Sequence, residues 1–148
     1  MDDKVINIFY TDDDEDDIEF FRDAVTEAGK HIHLTTRFDG GSLLHLLQNP
    51  PPSPAMIFLD WNMPGHNGAY VLNHIRASEI TKHYPVIIFS TSDNVEDIEE
   101  ARSLGAQMFI TKPNSFNEVV DAIKHCITIN WKEYETTDKN YIYNFKSR

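Results

Sequence analysis

Asp12, Asp13, Asp60, Ser90 and Lys112 each follow or end a short apolar run: INIFY before the first two, MIFL before Asp60, VIIF before Ser90 and MFIT before Lys112. Carboxylates gathered closely cannot all stay ionised unless a cation joins them. An oxygen-only set without His or Cys suits a hard divalent ion, Mg²⁺ first among them. Such an ion and the Lys112 ammonium would form a positive clamp for a phosphoryl group. Asp60 would then be the nucleophile and form an acyl phosphate, with Ser90 hydrogen-bonding one phosphoryl oxygen.

These five residues can meet only if the runs before them lie side by side. Val5 to Tyr10 has the pattern of a buried strand. Ile18, Phe21, Val25 and Ala28 then mark one helical face, with Gly29 as its C-terminal cap. Ile32 to Phe38 alternates like a second strand, and Ser42 to Gln48 is a short Leu-rich helix. Asn49 to Pro54 holds four prolines and must be a loop. Ala55 to Leu59 is a third strand, and Val71, Leu72 and Ile75 mark the next helix. Pro85 to Phe89 is a fourth strand, with the proline tolerated at its start. Asp93 and Glu96 are placed to cap a helix running to Leu104 and ended by Gly105. Ala106 to Thr111 is a fifth strand. Ser115-x-x-Glu118 opens a last helix to about Asn130. Uninterrupted apolar strands alternating with helices predict an α/β fold with a parallel sheet covered on both faces. Ligands of such sheets bind beyond the carboxyl ends of the strands, where the five polar residues stand.

The acidic run Asp12 to Asp17 therefore divides. Asp12 and Asp13 end a strand beside the metal seat, whereas Asp14 can cap the first helix and the acids after it complement the helix dipole, each by roughly 0.3–1 kcal/mol. Taken singly, each residue has a blander reading: a solvated helix start, a loop aspartate at 60, a surface lysine at 112, a turn serine at 90. Their joint placement carries the inference. His31 and His33 share a strand face like a metal pair, but isolated they are better read as coincidence. His66 reads as an exposed loop residue beside Trp61, and Cys126 as a small buried hydrophobe.

At 148 residues with 41% hydrophobic content the chain suits one domain. No apolar stretch approaches a membrane span, and no leader of signal-peptide type opens the chain. One cysteine allows no internal disulfide and suits a cytoplasmic setting. The net charge of -11 argues against direct nucleic-acid binding and for a cation or a basic protein surface as partner.

The motifs Thr11-Asp12-Asp13-Asp14, IFLDWNMPGHNG (57–68), PVIIFSTS (85–92) and FITKP (109–113) occur in that order. In them the chain resembles a response-regulator receiver domain, over roughly residues 4 to 130, and in particular the stand-alone receivers of the phytochrome-associated kind. The resemblance implies a flavodoxin-like (βα)5 doubly wound sheet in strand order 2-1-3-4-5. It implies that Asp60 accepts a phosphoryl group from a histidine kinase or a histidine phosphotransfer protein. It further implies that Asp13 and Asp60 bind Mg²⁺ directly, that Asp12 helps through water, and that Asn62 adds its backbone carbonyl. Ser90 would be the switch hydroxyl and Phe109 the switch aromatic, remodelling the face made by the fourth helix, fifth strand and fifth helix. Lys112 would pair with the phosphate. The expected protein is a phosphoacceptor switch in a two-component phosphorelay, with no turnover beyond its own phosphoryl transfer and dephosphorylation.

Two other readings use the same residues. Haloacid-dehalogenase-like phosphohydrolases share the aspartyl nucleophile, hydroxyl, lysine and Mg²⁺, but normally carry Asp-x-Asp after the first strand. Here the acid pair comes first, and Asn62 occupies the place of the second aspartate. A phosphorylation-independent adaptor would not need the intact acid pocket. Residues 131–148, beyond the receiver region 1–130, include Trp131, Tyr134, Tyr141, Tyr143 and Phe145. Aromatics at this density predict docking, either on the chain's own domain or on a second copy to make a homodimer.

Overall fold

Short apolar runs and amphipathic stripes alternate through the computed structural model, which describes residues 4–49 and 53–143. The strands are β1 (Ile6–Thr11), β2 (Ile32–Arg37), β3 (Met56–Leu59), β4 (Val86–Ser90) and β5 (Met108–Thr111). The helices between and after them are α1 (Glu15–Ala28), α2 (Gly40–Leu47), α3 (Gly68–Ala77), α4 (Val95–Ser103) and α5 (Phe116–Thr128). All strand pairs are parallel, in the order β2-β1-β3-β4-β5. The predicted fold class and strand order are therefore those observed. Part of the proline-rich loop, residues 50–52, and Phe145 of the C-terminal segment lie outside the described residues.

Alternate strand residues enter two cores. Ile8, Tyr10, Phe58, Phe89 and Ile110 pack with Ile18 and Phe21 of α1 and Val119 and Ile123 of α5. Phe9, Ile57, Leu59, Ile88 and Phe109 pack on the other face with Leu43 of α2 and Val71 and Leu72 of α3. With both faces dry, β1, β3, β4 and β5 need no polar alternation and read as apolar runs for that reason, whereas β2 at the edge is half-buried and alternates.

Side-chain caps set the helix starts. Asp14, Asp39, Asn67, Asn94 and Ser115 each accept the backbone N–H three residues on. Two starts differ from expectation. Asp39, not Ser42, begins α2, because its carboxylate takes both the Ser42 N–H at 2.7 Å and the Ser42 hydroxyl at 3.1 Å. Asn94, rather than Asp93 with Glu96, caps α4 by accepting the Asp97 N–H at 2.8 Å. Acids near a helix start resemble one another in sequence, and only the extended backbone of the residue entering the helix selects the cap. At the far end of α4 the Ala106 N–H bonds the Ala101 carbonyl and the Gly105 N–H the Arg102 carbonyl. That is a Schellman closure, and Gly105 meets its left-handed requirement at φ +107°.

Arg76 of α3 binds this closure to the rest of the molecule. Its guanidinium donates to the carbonyls of Gly105, Tyr84 and Lys82 and to the Gln107 side chain, at 2.8–3.1 Å. Gln107 Oε1 in turn accepts the Val86 N–H at the start of β4. Sequence periodicity carried no sign of this hub, since Arg76 falls on the polar flank of a helix.

β5 stands at the sheet edge, and the C-terminal segment covers it. The Phe109 N–H donates to the Tyr141 carbonyl at 2.8 Å, and the Tyr143 N–H donates to the Phe109 carbonyl at 2.9 Å. This forms one parallel bridge between Phe109 and Ile142, which satisfies backbone groups an edge would otherwise expose. Tyr141 and Tyr143 are buried. The Tyr141 hydroxyl reaches the Ile98 carbonyl at 2.6 Å, Arg102 stacks over its ring, and Arg102 also pairs with Asp138 at 2.6 Å. Trp131 and Tyr134 pack on the α5 side, where the Trp131 indole donates to the Cys126 carbonyl. Docking on the chain's own domain, one of the two expected outcomes, is the arrangement present through residue 143.

Two outcomes follow for stability in urea. Arg76→Ala strands several carbonyls and should cost about 2–3 kcal/mol. Tyr141→Ala opens a cavity under the edge cover and should cost about 3 kcal/mol. A loss below about 0.5 kcal/mol in either would contradict the packing described.

Candidate functional site

The reversal of strand order falls between β1 and β3, and the residues after these strands meet there. Asp12, Asp13 and Asp60 each present a carboxylate oxygen within 4.8 Å of the others. Asp12 and Asp60 are buried, whereas Asp13 is exposed. Among the described residues this is the one such group of three or more metal-ligating side chains, and neither His31 nor His33 belongs to it. Hard oxygen donors with one open side fit a hard divalent ion that keeps part of its water. Asn62 lies exposed two residues beyond Asp60.

Asp12 is occupied by protein donors. Its Oδ2 accepts the Tyr10 hydroxyl and the Lys112 ammonium, and its Oδ1 accepts the Asp14 N–H at 2.9 Å. Burial first, and then the Asp12 charge, push the Tyr10 hydroxyl far above the ordinary phenol range. Tyr10 therefore stays a proton donor to Asp12. Sequence reasoning placed Tyr10 only in a strand; its position two residues before Asp12, on the same strand face, was the available signal.

Lys112 Nζ stands 2.6 Å from Asp12 Oδ2, 2.8 Å from Asp17 Oδ2 and 4.0 Å from Asp60 Oδ1. Burial alone would lower the Lys112 ammonium. The bonds to Asp12 and Asp17 and the charge of Asp60 outweigh burial and hold it above the ordinary lysine value. The cation needed among the acids is thus supplied in part by the chain itself. Asp17 belongs to the first turn of α1 and was expected only as a helix-dipole acid; nothing distinguished it from its acidic neighbours in sequence.

Asp60 ends β3 with its Oδ1 accepting the Trp61 N–H at 2.9 Å. Burial pushes its carboxyl up to about 6, opposed by Lys112, reinforced by the Asp12 charge, and opposed again by the Ser90 hydroxyl and the Trp61 N–H. Trp61 is buried, and Gly68 leaves the room for it. A Cβ on Gly68 would meet the Trp61 ring at 2.5 Å and the Asp60 carbonyl at 2.9 Å. The start of α3 therefore presses directly on the Asp60 loop, and the Gly68 N–H donates to the Trp61 carbonyl at 2.9 Å. His66 is exposed, as expected, with its ring against Tyr70.

Ser90 is fully buried at the end of β4, and its Oγ accepts the Ser92 N–H at 3.3 Å. The Ser92 hydroxyl donates to Asp97 of α4 at 2.6 Å, and the Thr111 hydroxyl donates to the Ser92 carbonyl at 3.1 Å. The loop after β4 is so joined to both α4 and β5. Phe109 is fully buried three residues before Lys112, with its ring 6.4 Å from that of Tyr141.

The sign of the Asp60 shift sets a pH dependence. Its folded value, about 6, lies above the ordinary 3.8, so the folded chain binds more protons than the unfolded one between them. Stability of the metal-free protein should fall as pH rises from 4 to 6, by about 2 kcal/mol from this group. Asp60→Asn removes the buried charge. In chelator-treated protein it should stabilise at pH 7.5 by about 2 kcal/mol more than at pH 4.5, read by urea unfolding. An equal effect at both pH values would contradict the shift.

A family model described as "Response regulator receiver domain" matches residues 8–124. The phosphate regulon regulator PhoB of Escherichia coli (strain K12) is 36% identical over 73 residues, covering 49% of this chain and 32% of PhoB. The chemotaxis protein CheY-3 of Vibrio cholerae serotype O1 is 42% identical over 57 residues, covering 38% of this chain and 44% of CheY-3. The matched stretches thus span less than half the length of these curated relatives. The phosphorylated cyanobacterial phytochrome response regulator RcpA superposes with a TM-score of 0.77 at 27% identity, over 89% of this chain and 97% of that one. RPA3017, a response regulator in red light signalling of R. palustris, gives 0.79 at 26% identity, over 90% and 100%. With the family model running through residues 8–124, most of its length, the chain belongs to the response regulator receiver domain family.

Proposed function

We propose that the chain is a phosphoacceptor switch. Asp60 takes a phosphoryl group from the phosphohistidine of a histidine kinase or histidine phosphotransfer protein. The observation that carries this reading is the convergence of Asp12, Asp13 and Asp60 at the strand ends with Lys112 among them. The solved relative RcpA is described as phosphorylated. An Asp60 oxygen attacks phosphorus, the P–N bond to the donor imidazole breaks, and the imidazole leaves with that electron pair. No proton need move at Asp60, so the reaction uses the carboxylate form, which burial disfavours and nearby positive charge restores.

Asp12, Asp13 and Asp60, with the Asn62 carbonyl, would hold Mg²⁺. The ion, when bound, neutralises charge on the phosphoryl oxygens. Lys112 supplies a second positive charge, and Ser90 a hydroxyl for one phosphoryl oxygen. Burial of Asp60 limits water access to the acyl phosphate, and Ser92 and Asn62 line the approach. The chain has no turnover of its own beyond gaining and losing this group.

The added group brings roughly 1.5–2 negative charges. Ser90 and Lys112 are drawn to it, and their movement reaches α4 through Ser92 and Asp97 and β5 through Thr111. Phe109 is the side chain placed to take up the change, on the face of α4, β5 and α5. A full population shift needs about 5.5 kcal/mol of differential interaction between the two states. Readout falls to a protein that binds one state better.

Incubation with acetyl phosphate and Mg²⁺ should add one phosphoryl group to the intact mass, and the addition should vanish in Asp60→Asn. Trp61 fluorescence should respond to Mg²⁺ and to beryllofluoride. Steady release of phosphate from unrelated phosphomonoesters, or labelling that survives Asp60→Asn, would overturn the reading.

A further inference from the structure

Lys112 carries three N–H donors, and two of them already have carboxylate partners other than Asp60. The two anchors are unequal. The Asp12 side chain is 1% exposed and further fixed by Tyr10 and the Asp14 N–H. The Asp17 side chain is 39% exposed and reaches Lys112 from the first turn of α1. Water competes for an exposed carboxylate and not for a buried one, so the Asp17 bond is the one that can open at low cost. With Nζ 4.0 Å from Asp60, the ammonium stops short of hydrogen-bonding the residue it is expected to serve.

We propose that Asp17 is a positioning residue. It latches the Lys112 ammonium away from Asp60, and Lys112 exchanges Asp17 for a phosphoryl oxygen when Asp60 is loaded. The inference rests on the reading of Asp60 as the phosphoacceptor. A phosphoryl group offers three strong acceptor oxygens and more charge than one carboxylate, so the exchange runs toward the loaded state. The latch stabilises only the unloaded state. Removing it therefore shifts the balance toward loading by the strength of the lost pair. The exchange also releases the first turn of α1 from β5, which the strand-end residues alone would not do.

Beryllofluoride, titrated at saturating Mg²⁺ against Trp61 fluorescence, tests this. Asp17→Asn should bind about three- to fivefold more tightly than wild type, the range of one partly exposed pair. Asp17→Glu, which keeps charge and reach, should return to the wild-type affinity. Asp16→Asn removes an exposed charge from the same turn without a bond to Lys112 and should leave affinity unchanged. In a Lys112→Ala background Asp17→Asn should have no effect, as a double-mutant cycle requires. Without metal or phosphoryl analogue, reductive methylation of Lys112, followed by peptide mass, should run faster in Asp17→Asn. Equal or weaker binding by Asp17→Asn, an equal gain in the Lys112→Ala background, or unchanged methylation overturns the latch. If wild type neither binds beryllofluoride nor accepts phosphate from acetyl phosphate, the phosphoacceptor reading falls and the latch with it. If wild type does both, a null result at Asp17 removes the latch alone.

Discussion

One buried ammonium among carboxylates is the constraint on which the functional end of this molecule depends. Asp12 and Asp60 are both buried close to Asp13, and two such charges held in a protein interior repel each other and lose hydration. Lys112 offsets part of that cost, and its own burial is tolerable only because the carboxylates are there. Each element of the cluster therefore requires the others. β1 brings Asp12 and Asp13, β3 brings Asp60, β5 brings Lys112, and α1 brings Asp17. The parallel sheet is the device that delivers all the strand ends to one edge.

The balance left by this arrangement is unfinished in a useful way. The Asp60 carboxyl remains displaced upward, with burial as the main cause. A site whose charge is incompletely compensated gains more from an incoming cation than a neutral pocket would. The loop after β4 and the start of α3 then hold the surroundings still. Gly68 lets α3 press on the Asp60 loop, and Ser92 joins the loop after β4 to Asp97 of α4. Charge change at Asp60 meets packed neighbours, and packed neighbours move in discrete steps.

The C-terminal segment alters the other end of that chain of contacts. Phe109 is joined through β5 to Lys112 and through two backbone hydrogen bonds to Tyr141 and Tyr143. Tyr141 is also bonded to the Ile98 carbonyl on α4. The face of α4, β5 and α5 thus includes residues from beyond α5. Any protein docked on that face would meet Ile142 and Asp138 as well as the helices, and any displacement of Phe109 would carry the backbone of this cover with it.

Sequence alone determined the element order, the burial of the central strands, the acid, hydroxyl and lysine residues at the strand ends, and the caps Asp14 and Ser115. These depend on local rules: apolar run length, period, and the cap chemistry of Asp and Ser. The strand-end position of Asp12, Asp13, Asp60, Ser90 and Lys112 followed from where the runs stopped. Cap identity was less secure where acids cluster, as at Asp93, Asn94 and Glu96, because residue types overlap there. Tertiary structure alone decided which carboxylate holds Lys112, that Trp61 is buried, that Arg76 bridges α3 to the β4 and β5 entries, and that the aromatic segment covers β5. The reason is physical. Such pairings form between residues far apart in the chain, where several acids or carbonyls are equivalent by type and only distance and desolvation choose among them.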